Sequence, residues 1–155
     1  MDVFEVVEKF VSPVDAYEVM VGGNDAPVYV VKGRITLRPN LTMTRPDGGD
    51  VATLTGDVLN LKYALATSDG KHTATMTFPF GFKKAFTLKV GDAEYKATGE
   101  MFERTFDCTG PDGKLAMHIE RRGHLTPTRF RVEVHAPLPG EIVPLVAVAI
   151  HQCYR

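Results

Sequence analysis

Tryptophan is absent from this chain and cysteine nearly so, with Cys108 and Cys153 far apart and no second pair beside them. Two such cysteines cannot build a disulfide framework and lack metal-ligand spacing, which points to a reducing cytoplasm. A large excess of either charge is missing as well. The formal net charge of −1 argues against a general nucleic-acid binder, whose domain would be clearly basic. No apolar run approaches the roughly 20 residues that a bilayer-spanning helix needs. The segment 1–8 has neither the basic flank nor the continuous apolar core of a signal peptide. What is present is ample core material. At 155 residues and 44% hydrophobic, the chain is expected to form one soluble domain, 1–155, and a monomer.

Period-two alternation of apolar and polar residues runs through most of the sequence, the signature of half-buried strands. Segments at 16–21, 27–35, 40–44, 51–54, 61–66, 73–78, 85–90, 94–100, 105–108, 115–120 and 129–134 read as strands, and 4–10 as a strand or one helical turn. Gly22–Asp25 and Arg45–Gly49 read as turns, where Pro sets one φ and Gly supplies a positive one. The exception is Ile142–Ile150, apolar at every position. A helix that is hydrophobic all round must be buried all round. The pattern therefore predicts an all-β barrel or strongly curled sheet around a C-terminal helix at about 141–152. Pro144 fits only in that helix's first turn.

The chain also answers itself. Ala16–Val21 matches Ala85–Val90, Gly33 matches Gly99, Pro46-Asp47-Gly48 matches Pro111-Asp112-Gly113, and Val51-Ala52 matches Leu115-Ala116, at offsets drifting from 69 to 64 residues. Landmarks in constant order suggest a duplicated unit, with halves at about 4–72 and 73–139. Two curled halves closing on each other remove the exposed edges of an open sheet.

With Tyr17–Val21, Val28–Arg34, the Pro-Asp-Gly turns, Val51–Leu54, Tyr95–Gly99, Leu115–Ile119, Phe130–Val134 and Leu145–Gln152 in view, the chain resembles the LURP-one-related family. That family belongs to the tubby C-terminal-like superfamily, which also holds the phospholipid scramblases, and the likeness is to a bacterial-type single-domain member. The resemblance covers almost the whole sequence. It implies a closed twelve-stranded tubby-like barrel threaded by a hydrophobic C-terminal helix. Two departures stand out: His151 follows the helix's last Ile where the family commonly has Asp, and the family's tryptophans are missing.

Tubby-like domains are associated with phosphoinositides and scramblases with membranes, so the partner implied by resemblance is an anionic lipid headgroup. The charge pattern offers candidates. Lys32, Arg34, Arg38 and Arg45 lie in a window without a carboxylate, and so do Lys71, Lys83, Lys84 and Lys89, whereas residues 1–25 hold six acids against Lys9 alone. Segregated charge of this kind presents a positive face to an anionic surface. The candidate headgroup ligands are Lys32, Arg34, Arg38, Arg45, Lys83, Lys84 and Lys89. The alternative is a protein-interaction or scaffold domain whose Lys and Arg only solvate the barrel.

Other constellations carry less. Arg121, Arg122, His124, Arg129 and Arg131 are interrupted by Glu120 and Glu133, which are placed to pair with them. His118, His124 and His135 lack zinc spacing. Alternation turns His118 away from Leu115, Met117 and Ile119. His151 and Cys153 diverge on a helix and form no nucleophile–base pair. A lipocalin-like lumen ligand is opposed by the helix that would fill the lumen. Neither a nucleophile elbow, a phosphate loop nor a dinucleotide fingerprint is present. The expectation is a non-enzymatic domain with no cofactor and no metal, cytoplasmic and peripheral at a membrane, with an unidentified protein as the other partner class.

Overall fold

The computed structural model describes residues 2–11, 14–34, 36–59, 61–79, 84–99, 105–122 and 128–154. Twelve strands precede one helix: β1 (Asp2–Val11), β2 (Val14–Val21), β3 (Tyr29–Gly33), β4 (Asn40–Thr44), β5 (Asp50–Gly56), β6 (Lys62–Thr67), β7 (Thr73–Thr77), β8 (Lys84–Val90), β9 (Ala93–Gly99), β10 (Thr105–Thr109), β11 (Leu115–Arg122), β12 (Arg129–Val134) and α1 (Val143–Tyr154). All neighbours are antiparallel, and the sheet closes where β1 pairs with β12, from Asp2↔Val134 to Val7↔Arg129. Segment 4–10 is thus a strand, because without it the barrel has two open edges. Burial alternates along the regular strands as their sequences do. In β7, for example, Ala74 and Met76 are buried while Thr73, Thr75 and Thr77 are exposed.

The helix occupies the barrel interior. Every residue from Ile142 to Ile150 that the core contains is at most 3% exposed, and Leu145 to Ala149 are at 0%. It packs against β1, β5 and β12. Full burial of a Val, Leu or Ile side chain stabilises by roughly 1.5–3 kcal/mol, so this one helix accounts for much of the core. The helix starts two residues later than expected, and Pro144 lies in its first turn, where its missing N–H costs nothing.

Because the strands alternate in direction, the barrel has two distinct ends. The helix enters at one end from the connection after β12, where the Ile142 amide bonds to the Pro139 carbonyl at 3.0 Å. It finishes at the other, where Gln152 reaches Asp15 near the start of β2. These are called here the entry end and the exit end. The turns after β2, β4, β6, β8 and β10 lie at the entry end. The connections after β3 and β5 and the first residues of β6 and β8 lie at the exit end.

Hairpins β4–β5 and β10–β11, six strands apart, are built alike. Gly48 (φ 100°) and Gly113 (φ 77°) occupy matching turn positions that require a positive φ. The Asp47 and Asp112 carboxylates accept the amides of Gly49 and Lys114 at 2.9 and 3.0 Å. Each hairpin also carries a register shift, next to Met43/Thr44 and next to Cys108/Thr109. The second shift corrects the sequence reading of β11. Ala116 is the extra residue, so Ala116, Met117 and Ile119 are buried while Leu115 is exposed. His118 stays on the outer face, with its Nδ1 2.6 Å from Asp107 Oδ1 on β10.

Candidate functional site

The exit end gathers unpaired positive charge. Lys32, one residue from the end of β3, is exposed beside Ala16 and Thr42 in the register. Arg34 follows the strand directly and its amide bonds to the Asn40 carbonyl at 3.0 Å, closing the β3–β4 connection on which Arg38 sits. Lys62 opens β6. Among the described residues, no carboxylate lies within ion-pair distance of Lys32, Arg34, Arg38 or Lys62.

The acids of this rim are engaged instead. Glu8 Oε1 accepts the Thr128 amide at 3.3 Å, Asp15 accepts from Gln152 at 3.1 Å, and Asp57 accepts the Leu61 amide at 2.8 Å. Glu120 lies 3.6 Å from Arg122, and Glu18 holds Lys9 at 2.8 Å. Arg131 pairs with Glu133 on the same strand, as the sequence spacing indicates.

Arg34, Arg38, Asn40, Asp15 and Gln152 line a polar cleft of about 250 Å³. Arg38 also borders a neighbouring cleft of about 380 Å³ with Asp57, Lys62 and Tyr63. Aromatic rings underlie this end: Tyr63, Phe78, Phe86 and Phe106 follow one another with centroids 5.6, 5.5 and 5.7 Å apart. Such edge-to-face and tilted contacts make a stiff floor.

Beneath the first cleft lies a buried polar cluster that closes the barrel around the helix terminus. Gln152 Nε2 donates to Tyr17 Oη at 3.0 Å, and Tyr17 Oη lies 2.6 Å from His151 Nδ1. His151 Nε2 is 3.4 Å from Glu8 Oε2. With the Tyr17 hydroxyl donating to Nδ1 and the Nε2 proton facing Glu8, these polar atoms satisfy one another. Phe130 covers the imidazole edge-on, with centroids 6.2 Å apart. The cluster joins residues 134 positions apart in the chain. Adjacent residues at the helix end show no sign of it in the sequence.

The other sequence candidates go elsewhere. Lys84 opens β8 at the exit end, where its backbone pairs with Gly99. Lys83 and His124 lie outside the described residues. Arg45 is in the β4–β5 turn and Lys89 is one residue from the far end of β8 opposite Glu94, both toward the entry end. Lys71 is there too, beside Asp69, whose carboxyl is held below its usual range first by the Lys71 amide and then by the Thr67 hydroxyl. Asp25, Asp47, Asp92, Asp112 and Glu141 share that end. Charge is therefore segregated along the barrel axis. Of the seven candidates, Lys32, Arg34, Arg38 and the backbone of Lys84 come together, and Arg45 and Lys89 do not join them. Lys62, outside both basic windows, is the rim cation that the sequence reading missed.

The remaining chemistry is muted. Burial pushes the Cys108 thiol up to about 12. Burial and then the charge of Asp57 push Cys153 up to about 11. Neither thiol is a thiolate at neutral pH. Cys153 influences Tyr63 on β6, whereas His151 faces β1 and β2, so the two diverge. Among the described residues, no three His, Cys, Asp or Glu side chains form a group able to hold a metal ion. No helix among them is long and apolar enough to cross a membrane. No protein-family model matches the chain, and no curated protein matches it significantly.

Proposed function

We propose that this chain is a non-enzymatic, tubby-like domain of the LURP-one-related kind that docks its exit end on an anionic phospholipid surface at the cytoplasmic side of a membrane. The observation that carries this reading is the set of exposed cations, Lys32, Arg34, Arg38 and Lys62, left without described carboxylate partners on one end of a near-neutral barrel. Arg34, Arg38 and Lys62 already line the two clefts, and an unneutralised cation there loses little on meeting a phosphate. Each Lys or Arg near an anionic leaflet contributes about 1 kcal/mol, so four together give reversible attachment.

Vesicle co-sedimentation tests the reading. The protein is expected to pellet with phosphatidylserine- or phosphoinositide-doped vesicles at low salt, to stay in solution with pure phosphatidylcholine, and to be released as salt rises and the Debye length shrinks. Absence of binding to anionic vesicles at low salt removes the lipid reading and leaves a protein-interaction domain.

A further inference from the structure

The exit end carries a second feature that solvating charge does not explain. Among the described residues, Leu37, Val58, Leu59 and Leu115 are the exposed large hydrophobics, and three of these four lie on the β3–β4 and β5–β6 connections. Leu37 is 95% exposed, Leu59 67% and Val58 63%. A single exposed Leu is ordinary, but a group rimmed by polar residues marks a contact surface.

These connections are neighbours and both are tied down. The Gly56 amide bonds to the Pro39 carbonyl at 2.8 Å, and a Cβ on Gly56 would lie 2.9 Å from the Pro39 ring. The first connection is closed by the bond from Arg34 to Asn40 and braced by the Thr36 hydroxyl donating to the Arg38 carbonyl. In the second, Asp57 accepts from Leu61, and its own amide bonds to the Lys62 carbonyl at 3.0 Å. The apolar side chains are thus held outward on fastened loops. Arg34 and Lys62 stand at the feet of those loops, next to the strand ends.

From this geometry we infer that Leu37, Val58 and Leu59 insert into the bilayer as a wedge while Arg34, Arg38 and Lys62 grip the phosphates around it. The inference rests on the anionic-lipid reading above and adds its apolar half. Charge complementarity selects the occupant. A protein groove fitted to apolar tips would also need acids to meet three flanking cations, whereas an anionic leaflet supplies hydrocarbon directly beneath a phosphate layer. Long Arg and Lys stems bridge that step by lying along apolar surface with their heads in the phosphates. Interfacial burial of this kind reaches about 5–10 Å into the headgroup–acyl boundary.

The absence of tryptophan makes the test clean, because Leu37→Trp would be the single tryptophan of the protein. With phosphatidylcholine–phosphatidylserine vesicles, its emission should shift to the blue and be quenched by lipids brominated near the top of the acyl chain. Leu115→Trp, at the entry end, should show neither effect. Leu37→Asp combined with Leu59→Asp should weaken vesicle binding by roughly tenfold or more while leaving the thermal midpoint unchanged. If the vesicles pellet the protein but the Leu37→Trp emission stays that of a water-exposed indole, the wedge is overturned and electrostatic docking survives. If Leu115→Trp is the one quenched, the wedge is overturned and the docking end is reversed. If neither wild type nor variant pellets, the lipid reading itself falls and takes the wedge with it.

Discussion

Val146→Asp is expected to abolish soluble expression, and Val148→Asp the same. Both side chains are at 0% exposure on a helix inside the barrel, within the cluster of buried apolar residues. An uncompensated buried charge costs several kcal/mol, comparable to the whole 5–15 kcal/mol stability of an ordinary domain. A gentler variant separates helix burial from general intolerance of charge. Leu145→Ala should remain folded but lose about 2–5 kcal/mol in urea denaturation, because it opens a cavity that a closed barrel cannot collapse around. Aspartate variants that fold with wild-type stability would mean that the helix does not sit in the lumen.

His151→Asp carries the second large effect. It replaces an imidazole that is 8% exposed, with its Nε2 3.4 Å from Glu8 Oε2, by a second carboxylate beside the first. The Tyr17 hydroxyl loses its acceptor geometry as well. Two like charges in a dry site, one of them newly unpaired, should destabilise the protein by roughly 3–5 kcal/mol at neutral pH. The urea midpoint of the variant at pH 7 should therefore lie well below that of the wild type. Adding Glu8→Gln to His151→Asp should recover part of the loss at pH 7. A variant that unfolds at the wild-type midpoint at pH 7 would contradict the assigned pairing.

Eleven of the strands and the helix are legible in the sequence because each is specified locally, whereas β1 reads equally as a strand or a helical turn. Alternation marks the buried face of a strand, as in Tyr63, Leu65 and Thr67 of β6, and an unbroken apolar run admits only all-round burial. What misleads is anything that depends on register. Leu115 reads as a core residue by alternation, and one extra residue in β11 turns it outward. Distribution of charge in space fails for a related reason. In an up-and-down barrel a window longer than one strand must straddle both ends. Arg38 and Arg45 are separated by β4, five residues long and spanning roughly 17 Å, which carries them to opposite rims. Lys62 was hidden because its connection also contains Asp57, whose carboxylate is turned to backbone amides. Leu37, Val58 and Leu59 look like ordinary loop residues until the bond between Gly56 and Pro39 shows that their loops are neighbours.

Docking by the exit end is tested most directly by reversing charge at each end in turn. Arg34→Glu with Arg38→Glu removes two rim cations, and Arg45→Glu with Lys89→Glu makes the same formal change at the entry end. Both double variants have the same net charge, so a bulk electrostatic effect would weaken them equally. In co-sedimentation with phosphatidylcholine–phosphatidylserine vesicles at low salt, the first pair is predicted to lose binding by about tenfold or more, at about 1 kcal/mol per removed cation plus added repulsion. The second pair is predicted to bind as wild type does. Equal loss in both, or loss confined to the Arg45 and Lys89 pair, would contradict a docking surface at the exit end.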